Sequence, residues 1–147
     1  MASFEAEVQF LVNKTEKNML RVMQASIQDV VDASQKPRGK GGRMPIDTGF
    51  LRASGQGSYS GMPSGPVRGD KKEPNSYTYD SGPIGVLING LTVGKTFYFG
   101  WTANYARIQN LRTGFLDAAV QRWQEFVDRN AIDLTHKINQ VRGSKND

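Results

Sequence analysis

Hydrophobic positions step by three or four along the first thirty-odd residues: Phe4, Val8, Leu11, Thr15, Met19, Val22, Ser26 and Val30, widened by Val12, Met23, Ile27 and Val31. That period, unbroken by Gly or Pro, predicts one helix over residues 1–35. Ser3 is its expected N-cap, with Glu5 and Glu7 where a carboxylate suits the helix dipole. Thirty residues at about 1.5 Å each make a rod of roughly 45 Å. A compact chain of this length has a radius of gyration of only roughly 15 Å. The helix is therefore expected to overhang its own domain and to expose apolar stripe, and exposed stripe finds a partner.

The pattern then breaks. Pro37, Gly39, Gly41, Gly42 and Pro45 forbid regular structure in KPRGKGGRMPIDT, so 36–76 reads as a Gly/Pro-rich loop region with one short strand. Asp47 and Thr48 before Gly49 suit a side-chain-capped turn into that strand, within 46–59, which Gly55 and Gly57 weaken. Residues 62–76, with three prolines, read as a mobile loop. Ile84, Val86 and Ile88 alternate ahead of Asn89-Gly90, so 77–101 is expected to form a β-hairpin. Its return strand starts at Leu91 or after Gly94-Lys95 and ends with Phe97, Phe99 and Trp101 on one face.

A last helix over 113–142 enters through Thr113 and Gly114 with Asp117 in its first turn. Leu116, Val120, Trp123, Val127, Ala131, Leu134, Ile138 and Val141 form its stripe. Gly143 stops it before a tail over 143–147. The expected architecture is a single α+β domain, 1–147. Its two long helices pack on one face of a small antiparallel sheet, the aromatic strand face forms the core, and the basic loops are long and flexible.

Charge sharpens this picture. Residues 1–35 carry three Lys/Arg against five Asp/Glu, residues 36–112 eleven against four, and residues 113–147 five of each. The positive field thus belongs to the middle of the chain, where Lys36, Arg38, Lys40, Arg43 and Arg52 are the candidate contacts to DNA or to a partner protein. The segment reads either as a phosphate-contacting arm that orders on binding or as a flexible connector. The chain has no Cys, which excludes disulfides, thiol nucleophiles and Cys-based zinc sites. No apolar run reaches the roughly 18 residues of a membrane span, and MASFEAEVQF lacks a secretory signal core.

Candidate chemistry is thin. His136, the one histidine, sits on the polar side of the last helix with no nucleophile or orienting group in its pattern. Asp47 and Asp80 lie in loops with nothing to fix their separation. Lys40 lacks a P-loop around it, and Gly55-x-Gly57-x-x-x-Gly61 misses the dinucleotide fingerprint. Arg68-Gly69-Asp70 and Asn13-Lys14-Thr15 read as chance tripeptides. Tyr98, Tyr105, Arg107 and Arg112 interleave rings and charges as a single-strand clamp would, but strand aromatics are mostly sheet packing. The chain reads as a non-enzyme without metal or cofactor.

Two stretches together resemble a known family. Met44-Pro45-Ile46-Asp47-Thr48-Gly49-Phe50-Leu51-Arg52-Ala53-Ser54 is similar to the P-x-D-T-G-x-L-R-x-S signature of the gene-product-ten-like tail-component family of lambdoid phages. These are tail-completion or head–tail joining proteins of the siphovirus neck. Phe99-Gly100-Trp101 followed by Tyr105-Ala106 and Gln109, then Gly114-Phe115, Ala119 and Trp123, resembles that family's second block. Where the family often carries an acidic residue and Gly-Thr, this chain has Gly100-Trp101-Thr102-Ala103-Asn104.

The resemblance implies a virion structural protein. It would form a ring, commonly sixfold, around the DNA channel and contact neighbouring neck and tail proteins and DNA in the lumen. It would be assembled in the host cytoplasm, with no membrane partner. A small basic nucleic-acid-binding module is the alternative that the basic middle suggests.

Overall fold

The computed structural model describes residues 4–145, excepting the side chains of 4–13, 142, 144 and 145. The expected Ser3 cap lies outside the described residues. The chain runs through α1 (Phe4–Gln35), a 3-10 turn (Arg38–Lys40), α2 (Phe50–Ala53), β1 (Gly55–Ser58) and α3 (Gly82–Asn89). It continues with β2 (Tyr98–Trp101), α4 (Ala106–Thr113), α5 (Phe115–Gln121) and α6 (Trp123–Lys145). The fold is α+β, with a long first helix and one antiparallel ribbon in which Gly55 faces Trp101 and Ser58 faces Tyr98.

The first stripe folds as its period predicts, although among the described side chains of α1 three of the four buried ones are polar: Ser26, Ser34 and Gln35 beside Val31. Each has a hydrogen bond, as burial demands. Ser26 and Ser34 bond back to the Val22 and Val31 carbonyls. Gln35 bonds outward, to two other elements.

The hairpin over 77–101 does not form. Ile84 and Ile88 are buried, Leu87 is half-buried and Val86 is 73% exposed, so the segment is helical with a spacing of four. Pro83 in the first turn favours that helix start, and Asn89-Gly90 closes the helix where a hairpin turn was expected. Eight residues are too few for alternation and helical stepping to be told apart.

β2 begins only at Tyr98 and pairs with β1, some forty residues upstream. The strand expected within 46–59 is reduced to β1, because Phe50–Ala53 ahead of it coils into α2.

The aromatic face is present. Phe97 and Phe99 stack at 6.5 Å, Phe99 meets Trp101 edge-on at 5.1 Å, and Trp101 meets Phe115 of α5 at 4.8 Å. Gly55 and Gly57 lie beneath these rings: a Cβ on Gly57 would stand 2.9 Å from the Phe97 ring, and one on Gly55 would strike Gln35. The glycines that weaken the strand make room for the rings of its neighbour.

Val31, Ile84 and Ile88 pack on Phe97 and Phe99 as one core cluster, and Met44, Phe50, Leu51, Ala103 and Phe115 form a second. The covering face is thus supplied by α1, α3 and α5.

The single last helix expected over 113–142 is two helices, α5 and α6, and a further one, α4, precedes them. α4 ends at Gly114, whose left-handed backbone (φ 68°) turns the chain into α5. Asn110 accepts the Leu116 and Asp117 amides at 3.0 and 3.2 Å, capping α5 from across the turn. A break at Arg122 separates α5 from α6, which then passes through Gly143 instead of stopping there.

α6 runs back along α1. Asn130 donates to Ser26 Oγ at 3.1 Å and to Asp29 at 2.8 Å, and Arg129 pairs with Asp29 at 3.1 Å. Beyond this clasp nothing is buried among the described side chains of 14–25 or 127–141. Met19 and Met23 are 63% and 42% exposed, so part of the apolar stripe of α1 is left uncovered.

Candidate functional site

The two stretches that carry the family resemblance are brought together. Leu51 and Phe50 of α2 share a core with Phe115, and Tyr105 and Ala106 pack against it. Ser54 joins the stretches directly. Its hydroxyl donates to the Leu51 carbonyl at 2.7 Å and accepts the Ala103 amide at 3.3 Å, while its carbonyl accepts the Thr102 amide at 3.3 Å.

Pro45 leads into a turn in which the Asp47 and Thr48 carbonyls accept the Asn75 and Tyr77 amides at 3.0 and 2.9 Å. The Thr48 hydroxyl accepts the Phe50 amide at 3.2 Å, which is the side-chain-capped turn the sequence predicts. Gly49 is left-handed (φ 88°), and a Cβ there would collide with the Tyr77 carbonyl. Glycine is required on both counts.

Between the stretches lies a cleft of about 430 Å³ whose lining includes Asp47, Thr48, Arg68, Lys71, Tyr105 and Gln109. Tyr105 has its pKa raised above the usual 10.0, first by burial and then by the Asp47 carboxylate. Packed against the core, Tyr105 is a wall of this cleft and not a stacking platform for bases. That removes it from the clamp of Tyr98, Arg107 and Arg112.

The loop 62–76 closes the cleft. The Thr102 hydroxyl donates to the Pro66 carbonyl and the Asn104 amide to the Val67 carbonyl. Tyr77 Oη donates to Asp70 at 2.8 Å and accepts the Lys71 amide at 2.9 Å. The Tyr77 bond is the leading cause that holds the Asp70 carboxyl below the usual carboxylate range. Arg68-Gly69-Asp70 is thus pinned through its aspartate to Tyr77.

The basic segment is not an open arm. The Arg38 amide bonds to the Met44 carbonyl and the Met44 amide to the Lys36 carbonyl, both at 3.1 Å, and Gly42 bonds back to Pro37 at 2.9 Å. These bonds close the loop, and the 3-10 turn sits at its tip.

The five candidate cations divide into two kinds. Arg43 donates to the Thr113 carbonyl at 3.1 Å, and Arg52 donates to the Gln35 carbonyl at 2.7 Å with its guanidinium 4.9 Å from the centre of the Tyr79 ring. Those two are internal fasteners. Lys36, Arg38 and Lys40 are exposed, and among the described residues their side chains make no hydrogen bond or ion pair.

Gln35 and Tyr77, which the sequence reading did not single out, hold this region. Gln35 Nε2 donates to the Arg52 carbonyl at 2.9 Å, and its Oε1 accepts Trp101 Nε1 at 3.0 Å. The Tyr79 hydroxyl is enclosed, and burial is the leading cause that raises its pKa. Neither Gln35 nor Tyr77 carries a period that marks it. The nearest signal is the place of Gln35 at the last turn of the stripe, just ahead of Pro37.

His136 is exposed on α6, and the Asp80 carboxylate accepts the Gly82 amide at 2.9 Å. Among the described residues no group of three or more His, Asp or Glu side chains could hold a metal ion, and no helix is long and apolar enough to cross a membrane. Comparison of the chain with family models, curated proteins and solved structures finds no match.

Proposed function

We propose that this chain is a non-enzymatic virion structural protein of the siphovirus neck. In this reading it is a tail-completion or head–tail joining subunit that works as a ring around the DNA channel and needs no cofactor. The observation that carries the reading is the union of the two resembling stretches. Met44–Ser54 and the block from Phe99 are separated by more than forty residues, yet they build one core and one cleft through Leu51, Phe115 and Ser54.

The uncovered stripe at Met19 and Met23 supports assembly with other subunits, since apolar helix surface left in water favours association. The test is genetic. In a phage carrying this gene, a stop codon at Gln35 should leave full heads and finished tails unjoined in electron micrographs, with joining restored by the protein supplied in trans. Normal virions under that stop codon would refute the reading.

Free Lys36, Arg38 and Lys40 favour a second reading, a basic nucleic-acid-binding module. That reading requires DNA affinity that falls steeply with salt.

A further inference from the structure

We propose that the basic groove beside the C-terminal end of α1 receives the acidic first turns of α1 from a second copy of this chain. The groove consists of two adjoining concavities of about 710 and 380 Å³ that share Pro37, Lys40, Arg52 and Tyr79. Ile46 and Tyr77 extend its apolar lining, and Arg38 adds charge. Two carboxylates, Asp32 and Asp47, also line it, one in each part. The closed loop from Lys36 to Met44 fixes the backbone that carries Arg38 and Lys40, so little ordering remains to oppose binding.

The groove calls for a segment that is acidic and apolar together, and the chain contains one. Residues 1–13 carry Glu5 and Glu7 with no Lys or Arg, among Phe4, Val8, Leu11 and Val12. Within one molecule the two cannot meet. α1 is a single helix of 32 residues, roughly 48 Å long at about 1.5 Å per residue, and the basic loop begins directly after it. Over that span, screening of about 8–10 Å at ordinary salt leaves the opposite charges independent of each other. They can pair only between copies. Since the two surfaces differ, the contact is head-to-tail, the kind that closes a ring or propagates a filament.

Duplex DNA fits the groove less well. Two carboxylates line it and repel phosphates, and its rings already have neighbours: Tyr79 has Arg52, and Tyr77 has Lys71 and Phe50. The contact stands apart from the neck reading, which would survive its failure by assembling through other surfaces.

The test is sedimentation velocity of the full chain across a concentration series, with Glu5→Lys/Glu7→Lys and Arg38→Glu/Lys40→Glu as separate double variants. Wild type should self-associate, and raising salt from about 50 to about 500 mM should weaken that association. Each double variant alone should associate about tenfold more weakly or not at all. An equimolar mixture of the two should associate again, because each end then meets an opposite charge. Should the groove variant lose its wild-type circular dichroism, Arg38→Gln/Lys40→Gln replaces it and should show the same loss of association.

A wild type that stays monomeric overturns the proposal. So do variants that associate like wild type, a mixture that stays dissociated, or a groove that binds a short mixed-sequence DNA duplex while the protein remains monomeric.

Discussion

The two ends of this molecule are held together by different means. At one end the aromatic ribbon, α2, α3 and α5 enclose Phe115, Met44 and Ile88, each almost wholly removed from water. At the other, α1 and α6 lie side by side through half-buried contacts, with a polar clasp at Ser26, Asp29 and Asn130. The three-and-four stepping of α1 runs through both ends, from the exposed Met19 and Met23 to the buried Val31. The stripe becomes core only where a third element lies over it; where two helices meet alone, it stays partly wet. An amphipathic period specifies a face and leaves its partner open.

The sharpest way to break this comparison is to cut into the dense end. Phe115→Ala removes the ring that meets Trp101 and should cost about 3–5 kcal/mol by urea unfolding. A cost near that of a surface substitution would mean that the ring cluster does not carry the fold.

Gln35→Ala leaves the partly buried Trp101 indole N–H without its partner and takes one of its donors from the Arg52 carbonyl, and should cost about 1–3 kcal/mol. Trp101 fluorescence should shift with it, and an unshifted spectrum would argue against the bond.

At the rod end Asn130→Ala should cost only about 1–2 kcal/mol. Hydrogen exchange should then quicken in α6 while the ribbon amides keep their protection. Equal loss of protection at both ends would show one cooperative unit and erase the distinction.

Alkaline titration sharpens it further. Burial raises the Tyr79 and Tyr105 pKa values above 10.0 in the folded chain. Their contribution is therefore fully present below the unfolded value near 10.0 and is lost as pH rises through the folded values. Tyr105→Phe should flatten the fall in melting temperature above pH 10; an unchanged fall would place its cause elsewhere.

The smallest expected effect is at Met19→Ser with Met23→Ser, which should move the stability of the monomer by no more than about 0.5 kcal/mol. A loss above about 2 kcal/mol would mean that these side chains are covered after all.

What could be read from the residues follows from the same contrast. The long first helix was legible because eight positions in one period leave no other reading. The aromatic face of Phe97, Phe99 and Trp101 was legible because three rings at a spacing of two are distinctive. The pairing partner was not, since β1 is GQGS, a strand whose glycines carry no pattern and matter only through the rings above them. The helix at Gly82–Asn89 was misread because Ile84, Val86 and Ile88 satisfy a period of two, while Leu87 and Leu91 complete a helical one.

At the site, the turn at Asp47, Thr48 and Gly49 was foreseeable from its residues. The division of the five cations into two fasteners and three free charges was not. Arg43 and Arg52 are set apart by carbonyls distant in the chain, at Thr113 and Gln35, and no local spacing encodes those.

The room that Gly55 and Gly57 leave by lacking a side chain is taken up by neighbouring side chains, the Phe97 and Phe99 rings among them. A methyl group gained on the one strand has to be matched by bulk given up on the other, so Gly57→Ala should be tolerated best beside Phe97→Leu. Sites 57 and 97 would then drift together or not at all, while site 55 answers to Gln35 as well as to Phe99 and Trp101.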